Sequence, residues 1–256
     1  MRPFLAILAA LALGGAGPPM NGPAAPLLKA RPSASAPALR PGESWAANGM
    51  RVYRPSALTG PLPLVVLLHG AGGYPPNFLQ SMKPVADRLG VILAQPHSAG
   101  RTWDLIQNMQ MGSEPWHGPD AHRLDQSLAD LFSHAAVDPS RVILLGFSDG
   151  ASYGLSLGTA NPKLFTTVIA LSPGGFAPPD RIDRAQRIFI AHGRGDSVLP
   201  FAATKGIADA LHGAGANVRF RPFVGDHQID PESLVEALDW ALGLQAPPTP
   251  PTSSSK

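Results

Sequence analysis

The most informative stretch of the chain reads Arg141-Val142-Ile143-Leu144-Leu145-Gly146-Phe147-Ser148-Asp149-Gly150-Ala151-Ser152. The apolar residues before Gly146 predict a buried strand, and the residues after Gly150 continue as a helix. Between them, Gly-x-Ser-x-Gly forms a turn so tight that Ser148 must adopt a strained backbone conformation and a side chain at either glycine would collide across the turn. This pattern predicts that the Ser148 hydroxyl stands above a sheet, at the start of the next helix, as a nucleophile would.

The composition narrows the kinds of protein that this chain can be. Its 256 residues suffice for one large α/β domain or two small ones, and 44% of them are hydrophobic. The net charge is only +2 and no dense run of Lys and Arg occurs, so we predict no nucleic-acid partner. The chain contains no Cys, which excludes disulfides, thiolate metal ligands and a cysteine nucleophile.

The amino-terminal end has the layout of a secretory signal peptide. Residues 1–17 carry one cation, Arg2, followed by an apolar run from Phe4 to Leu13 and then small residues. This run is too short to span a bilayer as a stable helix. We therefore predict an exported protein, periplasmic or secreted, without stable membrane insertion after cleavage of the signal. If translation started at Met20, the protein would instead be cytoplasmic.

A folded domain is predicted at 45–245, between a Pro- and Ala-rich unstructured linker at 18–43 and a disordered tail at 246–256. Within it, strand-like and helix-like segments alternate. We predict a short antiparallel edge strand at 51–54, strands at 64–68, 91–94, 141–145, 166–171, 187–191 and 218–223, and helices at 77–89, 120–136, 150–160, 201–214 and 231–242. This order predicts an α/β fold, with a mostly parallel sheet between two layers of helices and a site at the carboxyl ends of its strands.

A serine nucleophile needs a general base, and His227 is the best candidate. When a serine nucleophile on a mostly parallel sheet acts with an acid and a general base, the three residues follow the chain order Ser, then Asp or Glu, then His. His227 follows the last predicted strand, so a loop can bring its ring over Ser148. His192 is the main rival, but it ends a strand and we expect it to shape the following turn.

Asp196 is the predicted acid, on the loop that follows the strand at 187–191. A carboxylate there can accept a hydrogen bond from His227 Nδ1, which fixes the tautomer and stabilises the imidazolium that forms during the reaction. Asp226 is adjacent to His227, but neighbouring side chains in a loop rarely face each other. Asp180 and Asp183 are weaker rivals on a stretch that also suits a solvated loop.

An oxyanion hole needs two backbone N–H groups aimed at one point. One is expected from Asp149, directly after the nucleophile. The other is expected from the Gly-rich loop His69-Gly70-Ala71-Gly72-Gly73, with Ala71 as the first candidate and Gly72 as the second. The same loop also suits a merely flexible turn. No metal-ligand spacing appears, and we predict neither a metal nor another cofactor.

Four motifs, taken together, resemble the phospholipase/carboxylesterase branch of the α/β-hydrolases. They are Leu67-Leu68-His69-Gly70-Ala71-Gly72-Gly73, Gly146-Phe147-Ser148-Asp149-Gly150, His192-Gly193-Arg194-Gly195-Asp196-Ser197-Val198-Leu199-Pro200 and Gly225-Asp226-His227. Secreted esterases and polyhydroxybutyrate-depolymerase-like proteins are similar. The resemblance implies an α/β-hydrolase fold, with Ser148, Asp196 and His227 as the triad and with Ala71 and Asp149 as the oxyanion donors. Relatives often carry Gln, Met or Asn at 149, which leaves the substrate open.

The predicted activity is hydrolysis of a carboxylic ester, small or polymeric, through an acyl-Ser148 intermediate. The connection between the strands at 166–171 and 187–191 is too short for a helical cap domain, so we expect an open, shallow cleft. Trp103 and Trp116 either line this cleft or pack in the core. A serine peptidase or an acyltransferase could use the same triad, and an exported binding protein with a hydrolase fold is the non-catalytic alternative.

Overall fold

The computed structural model describes residues 27–56, 58–72, 76–112 and 118–244. The signal peptide predicted at 1–17, the tail predicted at 246–256 and Trp116 lie outside these residues. In the part of the chain that is described, no helix is both long enough and apolar enough to cross a bilayer.

The described residues form one eight-stranded sheet. In space the strands follow the order β1-β2-β4-β3-β5-β6-β7-β8. The pairs β1–β2 and β2–β4 are antiparallel, and the other pairs are parallel. The strands are β1 (Gly42–Ala46), β2 (Met50–Arg54), β3 (Leu62–Leu68), β4 (Ile92–Gln95), β5 (Val137–Phe147), β6 (Thr167–Leu171), β7 (Arg187–Gly193) and β8 (Asn217–Phe223).

Helices cover both faces of this sheet. They are α1 (Pro76–Leu89), α2 (Asp104–Gln110), α3 (Pro119–His134), α4 (Asp149–Ala160), α5 (Phe201–Gly213) and α6 (Pro231–Leu242). All of β3 is buried, and alternate residues point to opposite faces. Val66 lies in a core cluster with α3 side chains, whereas Val65 lies in a second cluster with side chains of α1 and α6. The continuous apolar run of β3 therefore reflects a strand that is covered on both sides.

The predicted fold class is confirmed, but the predicted edge of the sheet is wrong. The strand predicted at 51–54 is not at the edge, because β1 pairs outside it. β1 was not predicted because its alternate residues are partly exposed and its sequence, GESWA, is only half apolar. Residues 172–186, which connect β6 to β7, contain neither helix nor strand, in keeping with the predicted lack of a cap there.

The linker predicted at 18–43 is also partly wrong, because its described residues lie against the domain. The side chain of Leu28 is buried in the main core cluster. Its backbone N–H donates to Asn161 Oδ1 over 2.7 Å, at the end of α4. The N–H of Ala30 donates to Asp125 Oδ1 on α3 over 2.8 Å. The folded domain therefore extends back to residue 27 at least.

Candidate active site

The turn between β5 and α4 has the strained geometry that its sequence predicts. Ser148 has φ 57° and ψ −121°, outside the regions that most residues adopt. Its backbone N–H donates to Leu171 O on β6 over 2.9 Å, which anchors the turn to the sheet. A Cβ on Gly146 would lie 2.1 Å from Gly150 O, and a Cβ on Gly150 would lie 2.3 Å from Leu68 O. Only glycine fits at either position.

We expect Gly150→Ala to destabilise the protein by more than about 3 kcal/mol, because the new methyl group meets rigid backbone on β3. Gly154→Ala is the matched control on the same helix. Its Cβ would lie 3.0 Å from the end of the Leu68 side chain and in ordinary contact with Leu144, and alanine favours the helix by about 1 kcal/mol. Denaturant unfolding of both variants checks the prediction. Equal stability of the two would contradict it.

The side chains of Ser148, His227 and Asp196 meet at the carboxyl ends of β5, β7 and β8. His227 Nε2 lies 2.9 Å from Ser148 Oγ, and His227 Nδ1 lies 2.8 Å from Asp196 Oδ2. The Asp196 side chain is fully buried, whereas 14% of the His227 side chain is exposed. The imidazole thus bridges the hydroxyl and the carboxylate, one ring nitrogen to each.

The surroundings of Asp196 keep its carboxylate ionised. Burial raises the pKa of Asp196, but hydrogen bonds from Leu199, His227 and Val198 outweigh it and hold the pKa below its usual value. The backbone N–H groups of Val198 and Leu199 donate to Oδ1 over 2.9 and 2.7 Å. An ionised carboxylate only accepts hydrogen bonds, so His227 carries its proton on Nδ1. Its Nε2 lone pair therefore faces the Ser148 hydroxyl.

The rival acid, Asp226, has a different task. Its Oδ1 accepts the backbone N–H groups of Ser197 and His227, each over 2.7 Å. These hydrogen bonds lower the pKa of the Asp226 carboxyl. The carboxylate therefore ties the loop that carries Asp196 to the loop that carries His227. The other rivals, Asp180 and Asp183, lie on the connection between β6 and β7.

The two predicted oxyanion donors lie on either side of the elbow. Gly72 N–H donates to Arg101 O over 2.9 Å and is therefore occupied. The N–H groups of Ala71 and Asp149 donate to no acceptor among the described residues. A Cβ on Gly70 would lie 3.2 Å from Ser148 Cβ, so the Gly-rich loop lies directly against the nucleophile. These contacts favour Ala71 over Gly72.

Comparison with known proteins agrees with this geometry. The sequence model of the phospholipase/carboxylesterase family matches residues 119–241. Esterase YpfH of Escherichia coli (strain K12) is 28% identical over 193 residues, which are 69% of this chain and 80% of that protein. These likenesses, together with the fold, support a carboxylesterase-like α/β-hydrolase. The bifunctional acetylxylan esterase/xylanase XynS20E of Neocallimastix patriciarum is also 28% identical, over 64% of this hydrolase, but the match covers only 24% of that longer protein.

Solved structures share the fold of this hydrolase. A thermostable esterase matches with a TM-score of 0.58 at 19% identity, over 76% of this chain and 58% of that one. Esterase PE8 matches with a TM-score of 0.57 at 22% identity, over 79% of this chain and all of that one (100%).

In the described part of the hydrolase, no group of three or more His, Asp or Glu side chains could hold a metal ion.

His69 supports the Gly-rich loop of the hydrolase, a role that sequence reasoning missed. The N–H of Ser98 donates to His69 Nε2 over 3.1 Å, which places the ring proton on Nδ1. Nδ1 lies 2.7 Å from Gly70 O and donates to it. Burial lowers the pKa of His69, so the ring is neutral. Because a peptide group is planar and trans, fixing the Gly70 carbonyl also fixes the direction of the Ala71 N–H.

Trp103 occupies the second of the two settings that the sequence left open. Only 1% of it is exposed, and its ring stacks between those of His69 and Tyr153, with both centroid distances 4.8 Å. Its Nε1–H donates to His69 O over 2.8 Å. Trp103 therefore braces the Gly-rich loop from below and does not line a cleft.

The Asp149 side chain also braces the elbow. Thr102 Oγ1 donates to Asp149 Oδ2 over 2.6 Å, which ties the loop before α2 to the first turn of α4. A negative charge in the first turn of a helix is favourable, because the helix dipole is positive there. Thr102 thus holds the Asp149 carboxylate, and the backbone N–H of Asp149 remains available as a donor.

Proposed function

We propose that this protein is a serine esterase that hydrolyses carboxylic esters through an acyl-Ser148 intermediate. The observation that carries the proposal is the chain of hydrogen bonds from Ser148 Oγ through His227 to Asp196, with distances of 2.9 and 2.8 Å. The order of the three residues along the chain, and their placement at the carboxyl ends of parallel strands, support it.

The reaction has two halves, and each needs the same groups. His227 Nε2 takes the Ser148 proton as Oγ attacks the ester carbonyl, and the N–H groups of Ala71 and Asp149 stabilise the negative oxygen that forms. The imidazolium, stabilised by Asp196, then gives its proton to the leaving alkoxide. Water attacks the acyl-enzyme, His227 takes a proton from it, and the acid is released while the proton returns to Ser148.

The surroundings of the site favour accessible esters with short acyl groups. The connection at 172–186 places no helical cap above the nucleophile. The loops that carry Asp196 and His227 expose two apolar side chains, Val198 at 62% and Val224 at 96%. An open apolar rim can hold a short acyl group or the end of a polymer, but it cannot enclose a long chain. The name of the relative XynS20E makes acetylated polysaccharide a further substrate to include in a test.

A panel of p-nitrophenyl esters tests this preference. We expect kcat/KM to rise little or not at all from butyrate to palmitate, because CH₂ groups left in water gain none of the roughly 0.8 kcal/mol each that burial gives. A hydroxybutyrate oligomer and an acetylated xylan test polymer ends and sugar acetates. A palmitate ester that is turned over fastest would contradict an open, shallow site.

Labelling with a fluorophosphonate tests the acyl-serine mechanism itself. We expect one adduct on Ser148, found by peptide mass spectrometry and lost in Ser148→Ala. Matched ester and amide substrates separate an esterase from a serine peptidase, and product analysis with an added alcohol separates it from an acyltransferase. A protein that neither reacts with the reagent nor turns over any ester would instead be a binding protein with this fold.

Export of the esterase stays a prediction from its sequence.

A further inference from the structure

A second histidine touches the carboxylate of Asp196. The His192 side chain lies at the end of β7 and is fully buried, with an exposed fraction of 0%. Its Nε2 lies 3.0 Å from Leu199 O and 3.1 Å from Asp196 Oδ2. A carbonyl and an ionised carboxylate both accept hydrogen bonds, so Nε2 must carry a proton.

The other side of the His192 ring is held by α5. Nδ1 lies 2.7 Å from Thr204 Oγ1, and this hydroxyl lies 2.5 Å from Pro173 O. The edge of the ring also meets the ring of Phe201, with a centroid distance of 6.0 Å. Thr204 is itself fully buried, so these contacts hold the plane of the ring without access to water. The ring is therefore held in the core with Nε2–H on Leu199 O and with Asp196 Oδ2 directly beside it.

We propose that His192 is a positioning residue for the reaction: its Nε2–H, which donates to Leu199 O, also lies against Asp196 Oδ2, the oxygen that accepts from His227 Nδ1–H, and so holds the carboxylate in line with His227. This inference rests on the proposed function, because it assigns Asp196 the role of the acid. His192 touches neither Ser148 nor, in this role, the substrate. It acts only through Asp196.

Asp196 Oδ2 lies against two imidazole rings, so its negative charge interacts with both His192 and His227. The titratable groups that face His192 are Asp196 and His227. Burial lowers the pKa of His192 and outweighs the opposite effects of Leu199 and Asp196. If the Nε2–H donor is removed, Oδ2 carries more negative charge toward His227 and is free to turn away. Both changes lower or shift the rate of catalysis. The pH dependence of kcat/KM distinguishes them from a simple loss of stability.

Three variants test the proposal. His192→Leu fills a similar space without a donor, and His192→Gln can place an amide N–H₂ where Nε2–H lies. We expect kcat to fall about 10- to 100-fold in His192→Leu with little change in KM, since a hydrogen bond to a charged group is worth about that factor. We expect His192→Gln to keep kcat within about fivefold. Thr204→Val keeps the Nε2 side of the ring but removes the contact at Nδ1, and we expect a smaller loss of kcat than in His192→Leu.

The pH dependence of kcat/KM is the readout that a structural role would not move. The acidic limb reports protonation of the base, and extra negative charge on Oδ2 favours the protonated form. We therefore expect the limb to lie at higher pH in His192→Leu than in the wild type, and to be unchanged in His192→Gln and Thr204→Val. Fluorophosphonate titration counts active sites, so that unfolded protein does not lower kcat, and thermal melts compare stability.

The outcomes separate this inference from the proposed function. If Ser148→Ala is inactive but His192→Leu keeps the wild-type kcat and pH profile, the positioning role is wrong and the triad stands. Equal losses in His192→Leu, His192→Gln and Thr204→Val, in step with their melting temperatures and with unshifted pH profiles, would also overturn it. If Ser148→Ala itself stays active, the proposed function fails first.

Discussion

Ser148→Ala is expected to hydrolyse p-nitrophenyl acetate about 10⁴- to 10⁶-fold more slowly than the wild type, because the change removes the oxygen that forms the acyl-enzyme in the proposed mechanism. The residual rate should come from the oxyanion donors and from substrate binding. We expect KM to change little, since the lost oxygen bonds covalently only after binding. Initial rates and a thermal melt, measured on protein purified from a host without background esterase, check this result.

Ser81→Ala is the matched control for this experiment. Ser81 lies on the exposed side of α1, where its hydroxyl donates to Phe78 O over 2.9 Å. Its loss should leave kcat unchanged. If Ser148→Ala hydrolysed the ester at the native rate, the nucleophile would be another group and the proposed mechanism would be wrong.

Asp196→Asn is expected to lower kcat about 10³- to 10⁴-fold at neutral pH, and the reason lies in the backbone around it. The N–H groups of Val198 and Leu199 both point at Oδ1, so the amide oxygen of Asn must take that place. Its N–H₂ then replaces Oδ2 and faces His227 Nδ1. Two donors cannot face each other, so His227 must move its proton to Nε2, where it can no longer accept one from Ser148.

Asp226→Asn is the control that separates the two neighbouring carboxylates. Its remaining carbonyl oxygen can still accept the backbone N–H groups of Ser197 and His227, so we expect less than about a tenfold loss of kcat. Stopped-flow rates between pH 5 and pH 9 compare the two variants. A larger loss in Asp226→Asn than in Asp196→Asn would move the role of the acid to Asp226.

The elements of this fold that could be predicted are those with a local signal. The elbow at Ser148 combines an apolar run with two glycines, and the chain order selects Asp196 and His227 among several rivals. The contacts of His69 and His192 had no such signal. His192 was assigned to the shape of a turn, because nothing in the sequence shows that its ring reaches back to Asp196 and across to α5.

Long-range contacts explain the remaining errors. Leu28 lies in a Pro- and Ala-rich stretch that suits a linker, and its partner Asn161 lies 133 residues further along the chain. The helix α2 is only seven residues long, too short for its periodicity to show. Trp103 directly precedes it, so its place in the core depends on contacts with His69 and Tyr153 that no local pattern shows.

The segment around Leu28 has a practical meaning for anyone who prepares this esterase. A shortened chain that begins at residue 45 would lack Leu28 and Ala30, and their apolar site in the core would be left open. It would also lose the hydrogen bond from Leu28 N–H to Asn161 at the end of α4, the helix that begins next to Ser148. The folded domain is therefore stabilised in part by residues whose composition resembles that of a linker.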